Sequence, residues 1–144
     1  MVRRRRRGDQ ELSLVRTHTI TAKTKRGEDK PAIVATSAFH SSEHYNPDEL
    51  LIGSLSSCHM LWYLHLCSEH GVVVTGYRDE AEGVLALDEH GEGRIERVTL
   101  RPCVTIADGD AAIARGLHEL AHKKCFIANS VNFPVVCEAE IVSG

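Results

Sequence analysis

Apolar and polar residues alternate over residues 12–24, LSLVRTHTITAKT, with Thr, Val and Ile abundant. That is the period of a strand with one buried face. The charged turn Arg26–Pro31 and the apolar run Ala32–Thr36 predict a returning strand, hence an N-terminal hairpin. The pattern then changes period. From Leu51 the residues Leu51, Leu55, Cys58, Trp62 and Leu66 recur at helical spacing, with Leu50, Leu61 and Leu64 widening the face. Such width predicts a central helix buried on most sides. Asn46 suits its N-cap and Pro47 its first position, Asp48 and Glu49 favour the positive end of the dipole, and Gly71 is a natural stop.

Beyond Gly71 the two-residue period returns. Val72–Tyr77 and residues 79–88 read as strands, the latter with Ala81, Gly83, Leu85 and Leu87 on one side. A turn over Asp88–Gly93 leads to Arg94–Arg101, which pairs back, and Pro102 predicts a bulge or edge before Cys103–Ile106. Asp108–Asp110 opens a second helix whose inner face reads Ala112, Ile113, Gly116, Leu117, Leu120 and Ala121. Residues 134–142 alternate as a last strand. The order β-β-α-β-β-α-β predicts an α+β fold with a long central helix and largely antiparallel pairing. No internal repeat or linker interrupts it, so residues 12–144 are expected to form one domain behind a disordered basic tail at 1–11.

Charge refines this picture. The five arginines Arg3–Arg7 contribute +5 to a net charge of −3, so the rest of the chain stands at −8. An acidic body is a poor footprint for nucleic acid. No run approaches the roughly 18 apolar residues of a membrane span, and polar residues stand where the h-region of an export signal would begin, at Gly8–Glu11. A cytoplasmic protein without nucleic-acid or membrane partners is the expectation.

Five cysteines, Cys58, Cys67, Cys103, Cys125 and Cys137, with no export signal fit a reducing compartment. Cys67 and Cys137 fall on core-facing periods; Cys103 is undecided. Cys58 lies mid-helix among Ser56, Ser57 and His59, and Cys125 follows Lys123 and Lys124, whose charge would favour a thiolate. His118 and His122 stand one turn apart before Cys125, and with His59 and Cys58 they could complete a tetrahedral metal site. They lack a zinc-protease Glu and any paired C-x2-C knuckle, so no metal or other cofactor is expected.

Two segments carry a resemblance. Asn46-Pro47-Asp48-Glu49-Leu50-Leu51, running on to Ser57-Cys58, resembles the helix signature of the OsmC/Ohr family, the osmotically induced and organic-hydroperoxide-resistance proteins. Ala121-His122-Lys123-Lys124-Cys125, with Asn129-Ser130 after it, resembles the family's second signature. The likeness spans roughly residues 12–142. It implies an intertwined homodimer and a thiol-dependent peroxidase that reduces organic hydroperoxides. Cys58 would then be the peroxidatic residue, passing through a sulfenic acid, and Cys125 the resolving one, with a dithiol, lipoyl-type in the Ohr branch, as reductant.

The resemblance also implies an arginine beside the peroxidatic sulfur and a carboxylate to orient it. Asp48 takes the carboxylate position, one methylene shorter than the family's Glu; Glu49 could replace it only by turning toward the site. The OsmC-branch arginine precedes the helix, where residues 38–44 hold none; His40 or His44 would be weaker substitutes. The Ohr-branch arginine follows the first strand, where Arg26 aligns. This departure keeps a second reading open, a non-enzymatic redox-sensing or ligand-binding dimer. Trp62, Tyr63, Phe126 and Phe133 either line an apolar pocket or pack the core.

Overall fold

The computed structural model describes residues 31–36, 41 and 43–144, and the backbone of residues 17–20. The basic tail, Arg26, His40 and most of the first predicted strand lie outside the described residues. The chain divides into two compact units, Met1–Leu50 and Leu51–Gly144.

In the first unit, β1 (Thr17–Ile20) pairs antiparallel with β2 (Ile33–Thr36), Thr17 opposite Thr36, as the alternation predicts. Helix α1 (Pro47–Glu69) begins here. The Asn46 side chain accepts from the Glu49 backbone N–H at 2.9 Å, and the Glu49 carboxylate accepts from the Asn46 N–H at 3.2 Å. This reciprocal capping box satisfies two donors that the helix start would leave bare. Glu49 is therefore bonded back to its own cap.

The second unit contains the rest of α1 and everything after it. A Schellman turn ends α1: Val72 N–H donates to Cys67 O at 2.9 Å and Gly71 N–H to Ser68 O at 3.4 Å. Gly71 takes φ +70°, which glycine allows at least cost. Next come β3 (Val73–Asp79), β4 (Glu82–Leu87), β5 (Gly93–Leu100), β6 (Pro102–Asp108), α2 (Ala111–Lys124), a 3-10 turn at Ala128–Ser130, β7 (Val135–Cys137) and β8 (Glu140–Ser143).

Two three-stranded sheets result, in the orders β3-β6-β8 and β4-β5-β7. The 79–88 and 94–101 segments pair antiparallel as expected, and β3 pairs antiparallel with β6. Two findings go beyond the sequence pattern. The β5–β7 and β6–β8 pairs are parallel, and the predicted last strand is two strands, one for each sheet. A bulge between Val84 and Leu85 also reverses the expected side of the second half of β4, leaving Leu85 and Leu87 exposed.

The chain passes from one sheet to the other at Arg101, where Pro102 cannot donate to a ladder. The Asp79 carboxylate accepts the Arg101 N–H at 2.6 Å and the Ser56 hydroxyl. Asp79 thus ties this corner to α1.

Helix α1 buries Leu55, His59, Tyr63, Leu66 and Cys67, while Cys58 and Trp62 are only half-buried and Leu61 is 64% exposed. Its inner stripe is thus narrower than predicted. By length and hydropathy α1 could cross a bilayer, a property that core helices share, and its buried stripe packs into two apolar clusters. Leu55 joins Ile95, Val98 and Leu100 on the β4-β5-β7 sheet. Tyr63, Leu66 and Cys67 join Val104, Ile106 and α2.

Asp110 caps α2, accepting from Ala112 and Ile113 N–H at 2.7 and 3.2 Å. The buried stripe of α2 is Ala114, Leu117, His118 and Ala121, and the predicted Ile113 is 45% exposed. Before the cap, Gly109 takes φ +106°, and an added Cβ would stand 2.8 Å from Val72 Cα and 2.9 Å from Gly71 O. Gly109→Ala should therefore cost at least about 2 kcal/mol, against about 1 kcal/mol for Gly71→Ala, whose Cβ meets nothing. Denaturant melts of the two variants check that ranking.

Candidate active site

Cys58 lies on α1 three residues beyond Leu55, half-buried. Cys125 is the C-cap of α2, in extended backbone (φ −67°, ψ 113°), where its N–H donates to His122 O at 3.3 Å. Its sulfur accepts the Ala128 N–H at 3.4 Å, so the turn after the helix holds it in place. The two cysteines, 67 positions apart in sequence, lie close enough for the Cys58 thiol to help raise the pKa of Cys125. Cys58 is half-buried and Cys125 only 1% exposed. Burial pushes the Cys125 thiol pKa up, the contact with Cys58 adds to that, and the Ala128 N–H opposes it. The pair therefore holds a more accessible sulfur against a sequestered, protonated thiol. Neither is in a disulfide in this structure.

One turn past Cys58, Trp62 meets Phe126 edge-on, centroids 5.7 Å apart, and Lys124 Nζ stands 5.3 Å from its ring centroid. These groups make an apolar wall beside the cysteine pair, with Phe126 68% exposed. Of the other two aromatics, Tyr63 is fully buried in the core and Phe133 packs on the Leu55 cluster. Asp48 sits half-buried in the first turn of α1, ten residues before Cys58 on the same helix.

The histidines do not gather around Cys125 as the spacing allowed. His59 Nε2 and His118 Nδ1 share a hydrogen bond of 2.9 Å, and Cys137 Sγ lies 3.7 Å from His59 Nε2. Tyr63 stacks on His118 with centroids 3.8 Å apart. This buried cluster escaped the sequence reading, although the signal was there: His59 falls on the Leu55–Tyr63–Cys67 stripe and His118 on the Ala114–Ala121 stripe.

Burial lowers the His59 pKa from 6.5 to about 4, helped by His122 and opposed by Asp79; it lowers that of His118 to about 3, helped by His59. Folded pKa values below the unfolded one mean that, below about pH 6.5, the unfolded chain takes up protons the folded chain refuses. Stability should therefore fall as pH drops from 6.5 through 4, by on the order of a few kcal/mol, and these two groups should contribute no slope above neutrality. Urea midpoints recorded between pH 7.5 and 4.5 check this.

The OsmC-like protein family matches residues 40–140. An OsmC-like protein of unknown function from Vibrio cholerae is similar in structure, with a TM-score of 0.74 and 31% identity over 90% of this chain and 88% of that one. An organic hydroperoxide resistance protein from Elizabethkingia anophelis shares the fold at a TM-score of 0.61 and 15% identity, over 92% of this chain and 99% of that one. The uncharacterised protein YmaD of Bacillus subtilis is 25% identical over 108 residues, 71% of each chain. With residues 40–140 matched by the family and 90% of the chain covered by a solved OsmC-like structure, this chain belongs to the OsmC-like protein family.

Proposed function

We propose that the chain is a two-cysteine peroxidase for organic hydroperoxides. The observation that carries this reading is that a half-buried Cys58 stands beside a buried Cys125 and helps to raise its pKa. The Cys58 thiolate attacks the terminal oxygen of ROOH, the O–O bond breaks, and RO⁻ takes a proton and leaves as ROH. Cys58 is then a sulfenic acid. The Cys125 sulfur displaces its hydroxyl, giving a Cys58–Cys125 disulfide and water. A dithiol of the lipoyl class exchanges with that disulfide and restores both thiols.

The Trp62–Phe126 wall favours an alkyl R group over hydrogen peroxide. On the family resemblance, Arg26 is the proposed cation and Asp48 the proposed carboxylate for stabilising the thiolate and the leaving alkoxide. The same reading places the protein in the cytoplasm as a homodimer, and the exposed Leu61 and Phe126 are apolar surface for a second copy to cover.

The test is a thiol count with mass mapping after one equivalent of an alkyl hydroperoxide meets reduced protein. Rapid loss of two thiols with a Cys58–Cys125 crosslink is expected. Slow loss, or oxidation scattered over Cys67, Cys103 and Cys137, would favour the non-enzymatic alternative.

A further inference from the structure

We propose that His59, His118 and Cys137 form a zinc-binding site, separate from the Cys58–Cys125 pair. The three residues come from α1, α2 and β7, and one ligand atom of each lies within 4.8 Å of the other two. A tetrahedral zinc with bonds of about 2.0–2.1 Å to nitrogen and 2.3 Å to sulfur sets its ligands roughly 3.3 Å (N···N) and 3.6 Å (N···S) apart. The protein provides 2.9 Å between the imidazole nitrogens and 3.7 Å from His59 Nε2 to the sulfur. Seating a cation thus asks the nitrogens to part by a few tenths of an ångström. It also asks the rings to turn from their near-parallel stacking (3°) so that both lone pairs converge.

The turn gives up part of the Tyr63 stacking on His118, and the space for it lies on the cavity side. His118 and Cys137 line a cavity of about 520 Å³, shared with His122, Glu119, Arg115 and Glu138. A second observation points to a ligand. His118 is 95% buried, yet its Nε2 has no hydrogen-bond partner. Whichever way the proton shared with His59 lies, that nitrogen is left as a bare donor or a bare acceptor, at a cost of about 1–3 kcal/mol. An apolar residue in its place would avoid the penalty. Rotating the ring toward the cavity gives one nitrogen the cation and the other access to solvent.

The donor set narrows the metal. Two imidazoles and a thiol are wrong for calcium or magnesium, which take oxygen ligands; they fit zinc, with copper as the competitor. Burial already keeps both imidazoles in the neutral form that binds metal. Zinc displaces the Cys137 proton, which leaves to solvent, so uptake releases one proton per ion. With three protein ligands, the fourth position faces the cavity and is free for water.

The test uses the full chain, reduced and stripped with a chelator, then titrated with Zn(II) against a chromophoric competitor and with Co(II) while thiolate-to-metal charge-transfer absorption is recorded. One zinc per chain and a thiolate–Co(II) band are expected. Cys137→Ser should lose the band and weaken zinc by more than the roughly 10–100-fold that a missing outer-shell partner costs. The Cys58→Ser/Cys125→Ser double variant should keep both zinc and band while losing any peroxide chemistry, which separates this proposal from the function above. Alkylation mapping of the unaltered chain covers the case of a variant that fails to fold, since zinc should protect Cys137 and leave Cys103 reactive. A stripped wild-type chain that takes up no zinc, or a band that depends on Cys58 and Cys125, overturns the site.

Discussion

Cys58→Ser should abolish hydroperoxide turnover, lowering kcat/KM by at least about 10³-fold, the scale on which an enzyme loses its nucleophile. A serine hydroxyl in the same place is neither ionised nor polarisable, so it does not attack an O–O bond. The informative partner is Cys125→Ser. On the proposed mechanism it leaves the attacking sulfur intact but removes the resolving thiol. Addition of peroxide should give one equivalent of alcohol per chain and then stop, with a sulfenic acid trapped on Cys58 by a dimedone-type reagent. Steady turnover by Cys58→Ser would remove this chemistry from the site, and steady turnover by Cys125→Ser would remove Cys125 from the resolving step. The Cys125 sulfur takes the backbone N–H groups of Ala128 and Ile127, which a serine oxygen can also accept, so both variants should fold.

The largest effect on stability is expected at Tyr63. Its side chain is fully buried, its ring stacks on His118, and its hydroxyl donates to the Ala114 carbonyl at 2.9 Å. It thereby joins α1 to α2 by packing and by a hydrogen bond. Tyr63→Ala should cost about 4 kcal/mol, since truncating a buried aromatic side chain loses transfer free energy and opens a cavity that a three-element junction cannot collapse to fill. Tyr63→Phe should cost only about 1 kcal/mol, because the ring stays and the Ala114 carbonyl keeps its helical bond. Chemical denaturation of the pair separates packing from hydrogen bonding. Equal losses would mean that the hydroxyl, rather than the ring, joins the helices.

These residues also show what the sequence made legible. The boundaries of α1 were written locally: Asn46, Pro47 and Glu49 at one end and Gly71 at the other act within one turn, so reading them needs no knowledge of the rest of the fold. The nearness of Cys58 and Cys125 was nominated only through the resemblance, because two motifs name two positions that no local pattern relates. Strand partnership was not legible. Periodicity says which side of a strand faces inward, but the same alternation in Val135–Val142 serves one strand or two. The division follows from the distant Arg101 corner, beside which Glu138 N–H donates to Leu100 O at 2.8 Å. The inward face of α2 was misplaced by one step for a related reason. Hydrophobicity nominated Ile113, whereas the packed stripe includes His118, a residue that an apolar count passes over. Polar residues inside a core are visible only once their partners are known, and the partners of His118 lie on α1 and β7.

The two parallel strands at the end of the described chain have a consequence for how the protein is made. The central strands β5 and β6 each hold one antiparallel neighbour that precedes α2, and each waits for a parallel one that follows it. During translation neither sheet can close until residues 135–143 have emerged from the ribosome. Up to that moment the nascent chain presents two unfilled strand edges, and such edges are where an unfinished chain pairs with the wrong neighbour. Synthesis and closure are thus coupled at a single late step, which completes both sheets together.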